Sequence, residues 1–324
     1  MKKIRVLSLN LVNQLTGSRI DPSRTVVING FWRSGTTWIQ EQISYATNSK
    51  SIFEPFQARA HYIPDYLKSI NLENREYRFI NGLMPYLGDL SKNSSLSKLI
   101  DRAQRGQLVN RHVLRYESPS INRSLCRRVV VKYTRGSLCL RAIADKYHCP
   151  IVHVRRDPRA VITSIKKSQK SWGEGAFDDF SLKSHLLHIS DGRREYFCQW
   201  EDEIEKIERT NDFGRIAGYY CLTERYLQDR FKSKFDKFSL LQYEDLVCKG
   251  QSFLIEVMQK IDVDIGISGE HFYKPSSTQY DNHNDSQNLK CRLHSWKKKL
   301  SREEIESIES VVQLLKMENF LVDT

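Results

Sequence analysis

The residues from Gly30 to Thr37, Gly-Phe-Trp-Arg-Ser-Gly-Thr-Thr, put two glycines, one guanidinium (Arg33) and three hydroxyls (Ser34, Thr36, Thr37) into one short stretch. Glycine lets backbone amides come close to an anion, and amides at the start of a helix add the positive end of its dipole. With an arginine beside them, these groups suit a phosphate-like ligand. A second basic stretch, Val154-Arg-Arg-Asp-Pro-Arg-Ala-Val-Ile-Thr-Ser164, carries Arg155, Arg156 and Arg159, and Ser164 lies eight positions after Arg156. Arg156 and Ser164 can together hold a second phosphate, whereas a solvated charge cluster is the competing account of Arg155 and Arg159. Lys132 supplies a further cation and Glu54 a carboxylate able to take a proton, with His61 as the rival proton acceptor.

These groups need elements to position them. Thr25–Asn29 (TVVIN) is a β-branched run that stops at Gly30 and predicts a buried strand. From Thr36 the pattern turns helical, with Trp38, Ile39, Ile43 and Ala46 on one face. Val129–Lys132 predicts a second strand and Leu138–Tyr147 a helix, followed by a strand at Ile151–Val154. Asp157-Pro158 then offers an N-cap and a first-turn proline for a helix through about Lys167. Phe238–Tyr243 is a later strand, and Ser301-Arg-Glu-Glu304 is a capping box with Ile305, Ile308, Val312 and Leu315 behind it. Strands alternating with helices predict an α/β fold: a single domain over 1–324 with a central, mainly parallel sheet flanked by helices. Residues 57–125 and 171–235 fit the alternation poorly. They read as helical insertions over the active site that shape an acceptor pocket, leaving a donor-binding core at about 25–56, 129–168 and 238–321. Residues 274–300 are polar and predict a long surface loop.

In length the first stretch matches the nucleotide P-loop G-x-x-x-x-G-K-[ST], but Thr36 stands where the lysine should be and Arg33 is the loop's only cation. A P-loop kinase or NTPase is therefore disfavoured. R-S-G-T-T-W after a buried strand instead resembles the 5′-phosphosulfate loop of sulfotransferases that use 3′-phosphoadenosine 5′-phosphosulfate (PAPS). The stretch from Val154 to Ser164 resembles that family's 3′-phosphate site, V-R-D-P-R-A-V. Phe53-Glu54-Pro55, Val129-Val-Val-Lys132 and Tyr243-Glu-Asp-Leu246, with the course from Trp296 to Asn319-Phe320-Leu321, resemble the carbohydrate branch of the family in particular.

The resemblance implies PAPS as donor co-substrate, adenosine 3′,5′-bisphosphate (PAP) as product, and no metal requirement. It assigns Arg33, Ser34, Gly35, Thr36, Thr37 and Trp38 to the 5′-phosphosulfate, and Arg156 and Ser164 to the 3′-phosphate. The candidate catalytic residues are Glu54, which as a carboxylate near a buried cationic site can take a hydroxyl proton (general base), with Lys132 and Arg33. Sulfuryl transfer needs charge stabilisation on the leaving oxygen, which cations and a helix N-terminus can supply. The K-x-H arrangement of aromatic-substrate sulfotransferases is absent, since Lys132 is followed by Tyr133-Thr134-Arg135. The implied acceptor is a saccharide or glycoconjugate hydroxyl; a small hydroxylated natural product is the alternative.

Composition agrees with a folded, soluble chain. Of 324 residues, 40% are hydrophobic and 28% charged, and no apolar run is long enough to span a membrane. The N-terminal MKKIRVLSLNLVNQLTG is interrupted by polar residues and lacks a cleavage site, so a cytoplasmic location is expected. An excess of 51 Lys+Arg over 39 Asp+Glu, net +12, favours anionic partners. A non-catalytic polyanion binder is the remaining alternative; no nucleic-acid partner is expected. The seven cysteines are scattered without a C-x-x-C pair, and His185 and His188 read as a partly exposed helix face rather than a metal site.

Overall fold

The computed structural model describes residues 16–88, 94–110, 112–114, 126–172, 178–232, 235–266, 272 and 293–322. Its centre is one sheet of five short strands: β1 Val26–Gly30, β2 Lys50–Phe53, β3 Val129–Tyr133, β4 Ile151–Arg155 and β5 Phe238–Gln242. Every neighbouring pair is parallel, in the order β2-β3-β1-β4-β5. Its helices include α1 Thr36–Ala46, α2 Ser95–Gln104, α3 Leu140–Tyr147, α4 Pro158–Trp172, α5 Asp212–Arg230, α6 Tyr243–Lys249, α7 Gln251–Gln259 and α8 Arg302–Leu314.

Successive residues of a strand face opposite sides, so a strand buried on both sides reads as a continuous apolar run. β1 and β3 are buried at every position. Val27, Val129, Val131 and Ile151 join Ile100, Leu140 and Ile143 on one face; Val26, Ile28, Val130, Val152 and Val154 join Ile39, Ile43, Leu254 and Met258 on the other. A further apolar cluster sets Phe31 and Trp32 against Tyr219 and Tyr220 of α5, with Val311 and Val312 of α8.

The strands and helices expected from the sequence are present to within a few residues, except that α4 runs on to Trp172. Its N-terminus forms as the Asp157-Pro158 pair predicts, with Asp157 Oδ1 accepting the Arg159 N–H at 2.7 Å. The capping box of α8 is likewise formed. β2 is the unexpected strand. It opens on Lys50, a residue that is 2% exposed and whose ammonium donates to the Gly106 carbonyl, and only Ile52 and Phe53 supply apolar bulk. The first fifteen residues, and positions 274–292 of the expected polar loop with its Cys291, lie outside the described residues. From Leu293 onward the same stretch includes the helix Trp296–Lys299.

The order of the strands dictates where a ligand can sit. From β1 the chain crosses towards β2 at one edge, and from β4 towards β5 at the other, although β1 and β4 are neighbours. A crevice must open at their C-terminal ends between the two diverging loops. The register Phe53↔Lys132, Gly30↔Val154 and Arg155↔Gln242 brings the ends of all five strands to that edge.

Candidate active site

Two residues between β1 and α1 adopt the left-handed conformation: Arg33 at φ 66° and Gly35 at φ 89°. The bend is closed by the Ser34 N–H donating to the Phe31 carbonyl at 3.2 Å. Only glycine suits position 35 on two counts. A Cβ there would lie 2.4 Å from Tyr243 Cε2, and the positive φ would be strained for any other side chain. Gly30 is equally restricted, since a Cβ would stand 2.5 Å from the Val154 carbonyl oxygen. Gly35 caps α1 with no side-chain hydrogen bond. Ser34 Oγ is buried without a hydrogen-bond partner. Buried polar atoms are rarely left so, and this one lies in a glycine-rich loop at a helix N-terminus.

The second basic stretch meets this loop. Arg33 Nε donates to Ser164 Oγ at 2.9 Å, and Arg156 Nη1 donates to the Arg33 carbonyl at 3.0 Å. Arg156 Nε is buried without a partner, and the guanidinium lies 4.5 Å from the centroid of the Tyr243 ring. Arg159 belongs elsewhere. It is 3% exposed, pairs with Asp157 at 2.7 Å and Glu309 at 2.8 Å, and stacks 4.0 Å over Trp296. It pins the C-terminal helix rather than joining a solvated cluster. Arg155 turns to Gln242 and the Phe320 ring.

The third group forms where β2 and β3 end. The Glu54 N–H donates to the Lys132 carbonyl at 3.1 Å, continuing the ladder, and Glu54 then turns the chain with φ 46°. Its carboxylate is buried beneath three donors: Lys132 Nζ at 3.2 Å, Arg135 Nη1 at 3.4 Å and the Thr134 hydroxyl. Lys132 Nζ also donates to Thr37 Oγ1 at 2.7 Å and sits 3.8 Å from the centre of the Phe53 ring. Lys132 therefore joins the carboxylate group to the α1 loop. Burial alone would raise the Glu54 carboxyl, but Lys132, Arg135 and the Thr134 hydrogen bond outweigh it and hold it below the ordinary glutamate range. Burial pushes the Lys132 ammonium down to about 8, against the pull of Glu54 and with the repulsion of Arg135.

A sulfotransferase-domain family profile matches residues 23–320. The chain belongs to the sulfotransferase family. Among solved structures, similar ones include a sulfotransferase domain from a Synechococcus olefin synthase, at 16% identity and TM-score 0.44 over 90% of this chain and 95% of that one. The sulfotransferase domain of the curacin biosynthetic pathway has 13% identity and TM-score 0.43, over 90% and 96%. A sulfotransferase from Mycobacterium tuberculosis has 13% identity and TM-score 0.45, over 96% and 83%. The family profile, and not these distant likenesses, carries the assignment. No curated protein sequence matches the chain.

Within this sulfotransferase, the residues singled out by sequence meet at the expected edge of the sheet: Arg33, Ser34, Gly35, Thr36 and Thr37 on the loop and the start of α1, Arg156 and Ser164 beside it, and Lys132 with Glu54. Trp38 points away, its indole N–H donating to the Phe272 carbonyl at 3.2 Å and its ring packed in the core on the α1 side of the sheet. His61 has an exposed side chain at the end of the 58–60 turn and makes no bond to Glu54 or Lys132. His185 is not on an exposed face: it is 2% exposed, stacked between Phe79 at 4.3 Å and Phe180 at 4.5 Å, and burial holds its pKa down near 4. Among the described residues no group of three or more His, Cys, Asp or Glu side chains could hold a metal, and no helix is long and apolar enough to cross a membrane. Sequence reasoning missed Thr134, Arg135 and Tyr243 as site residues. Thr134 and Arg135 stand two and three positions after Lys132, and their position just past the end of β3 was the available signal.

Proposed function

We propose that this sulfotransferase moves the sulfuryl group of PAPS onto a hydroxyl of a saccharide, glycoconjugate or small hydroxylated metabolite, releasing PAP. One observation carries the reading: two anion-binding stretches more than a hundred residues apart converge, with Arg33 on Ser164 at 2.9 Å and Arg156 on the Arg33 carbonyl at 3.0 Å. PAPS bears anionic groups at its 3′ and 5′ positions, so paired sites are what it requires. The unpartnered Ser34 Oγ and Arg156 Nε, one in each stretch, are free to meet such oxygens.

In this reading Arg156 and Ser164 hold the 3′-phosphate, while Arg33 and the amides and hydroxyls from Ser34 to Thr37 hold the 5′-phosphosulfate. Glu54 accepts the acceptor hydroxyl's proton as that oxygen bonds to sulfur. As the bond from sulfur to the 5′-phosphate oxygen breaks, the charge left on that oxygen meets Lys132 and Arg33. An ionised, buried Glu54 and an ammonium 3.2 Å away support these roles. The fused pair also suits an in-line transfer without a metal, because fixed cations supply the electrostatic term. The saccharide branch is favoured by the Phe53-Glu54-Pro55 sequence.

Calorimetry with PAP, with and without magnesium, and mass spectrometry of acceptors incubated with PAPS test the proposal together. Metal-independent PAP binding and an acceptor heavier by one sulfuryl group are expected. ATP competing as well as PAP, or phosphorylation of an acceptor incubated with ATP and magnesium, would replace it with a kinase reading. Tight polyanion binding with no mass gain on any acceptor would replace it with a binding protein.

A further inference from the structure

The chain just past β5 meets the chain just past β4 residue for residue. Arg155 and Gln242 are partners in the β4–β5 register, and Arg155 Nε donates to Gln242 Oε1 at 2.9 Å. One position on, the Arg156 guanidinium lies 4.5 Å from the centroid of the Tyr243 ring. One further, the Asp157 N–H donates to Glu244 Oε1 at 3.0 Å, while the other Glu244 oxygen takes Gln242 Nε2 at 2.6 Å. Gln242 and Glu244 thus brace the backbone and flank of the stretch whose middle residue is Arg156.

Tyr243 makes a second contact, on the other side of the crevice. A methyl group at Gly35 would stand 2.4 Å from its Cε2, so the ring edge lies against the bare α-carbon of the loop before α1. Trp38 meets the same ring edge-on at 6.3 Å between centroids. One phenol ring therefore touches both halves of the anion site. An aromatic face attracts a cation, and a planar guanidinium stacked on it keeps its donors pointing outward in one plane. With Nη1 committed to the Arg33 carbonyl, Nε is left buried and unpartnered, a donor available to an oxyanion that enters the site.

We propose that Tyr243 is a positioning residue for the donor nucleotide: its ring pre-orients the Arg156 guanidinium for the 3′-phosphate and keeps it in register with the Gly35 loop. The inference rests on the assignment of Arg156 to the 3′-phosphate. It makes Tyr243 a determinant of preference for a 3′-phosphorylated nucleotide, acting through Arg156 and without itself contacting the phosphate. Pre-orientation raises affinity by removing the ordering that binding would otherwise require.

The test is calorimetry at fixed ionic strength with two probes, PAP and adenosine 5′-monophosphate, which lacks the 3′-phosphate. Tyr243→Leu should weaken PAP by about 3- to 30-fold, the range of a cation–π contact from exposed to desolvated, and change the monophosphate much less. Tyr243→Phe, which keeps the ring, should match the natural protein, and Tyr243→Leu placed on Arg156→Ala should add nothing for PAP. Phenylalanine analogues of rising fluorine content at position 243 keep the size of the ring while weakening its negative face. They should lower PAP affinity step by step at unchanged melting temperature, which covers the case in which Tyr243→Leu does not fold. Equal losses for both probes, or affinity indifferent to fluorination, would overturn the proposal while leaving Arg156 where it is. If Arg156→Ala itself fails to change the preference for PAP over the monophosphate, the 3′-phosphate assignment falls, and the role of Tyr243 with it.

Discussion

Replacing Glu54 with glutamine is the most informative single change, because in the proposed function one carboxylate serves both proton transfer and the fold. Glu54, Lys132 and Arg135 are 4%, 3% and 7% exposed, and the carboxylate lies 3.2 Å from one cation and 3.4 Å from the other. Glutamine keeps the shape and can still accept from Thr134, but it leaves two buried cations without a counter-charge. Breaking a buried ion pair from one side costs about 3–5 kcal/mol. For a domain of this size that corresponds to a fall in melting temperature of about 4–7 °C. Removing a general base lowers the rate by about 10²–10⁴-fold. A second loss is built in. Lys132 already titrates down near 8 because of burial, and Glu54 is the group that supports its charge. Without Glu54 the ammonium moves lower still and is part-neutral at neutral pH, so the rate loss of Glu54→Gln should deepen as pH rises from the acid side. Initial rates with labelled PAPS across pH, PAP calorimetry and thermal melting read the three effects separately. PAP affinity should hold, since the proposed function assigns Glu54 to the acceptor hydroxyl and not to the nucleotide. Adding Lys132→Met to Glu54→Gln should restore much of the melting temperature, because an apolar residue of similar length removes a stranded charge, yet should restore no activity. A Glu54→Gln enzyme with a tenth or more of the natural rate at every pH would refute the base assignment. One that melts like the natural protein would refute the charged-network reasoning.

Other consequences follow from the same geometry. Folding depresses Lys132 from the ordinary lysine range to about 8, so activity should fall as pH rises through that value, and the acid limb should lie below the ordinary glutamate range; Lys132→Arg, charged throughout, should abolish the alkaline limb, and a limb that persists belongs to another group. Arg33→Ala should lower turnover far more than PAP affinity, because charge on the leaving oxygen develops only in the transition state; equal losses in kcat and in calorimetric affinity would contradict that role. Gly35→Ala must relieve a 2.4 Å contact with Tyr243 and a φ of 89°, at a cost of about 1–3 kcal/mol, and should weaken PAP measurably; unchanged affinity would show that the loop does not hold the donor.

The basic stretches carry physical reasons of their own for being legible in sequence. A glycine-hydroxyl loop after a β-branched run, a proline after aspartate, and a Ser-x-x-Glu box all act within a few residues, so strand β1, the starts of α1 and α4, and the cap of α8 could be read directly. The sequence thus determined which residues could bind anions and that the sheet is parallel, because short apolar strands separated by helices permit little else. The tertiary structure decided what those residues do. Lys132 and Glu54 are 78 positions apart (132 − 54), and only the β2–β3 register Phe53↔Lys132 makes them an ion pair. The missed strand β2 was therefore the element that sets the position of the Glu54 carboxylate, hidden because it opens on a lysine whose charge is satisfied by a distant carbonyl at Gly106. Arg135 and Thr134 became carboxylate donors, Arg159 a buried clamp on the C-terminal helix, His185 a stacked core residue and Tyr243 a shared wall through contacts made across the sheet or between helices. Local pattern registers a residue's type and its neighbours along the chain; burial, pairing and pKa depend on what arrives from elsewhere in the fold.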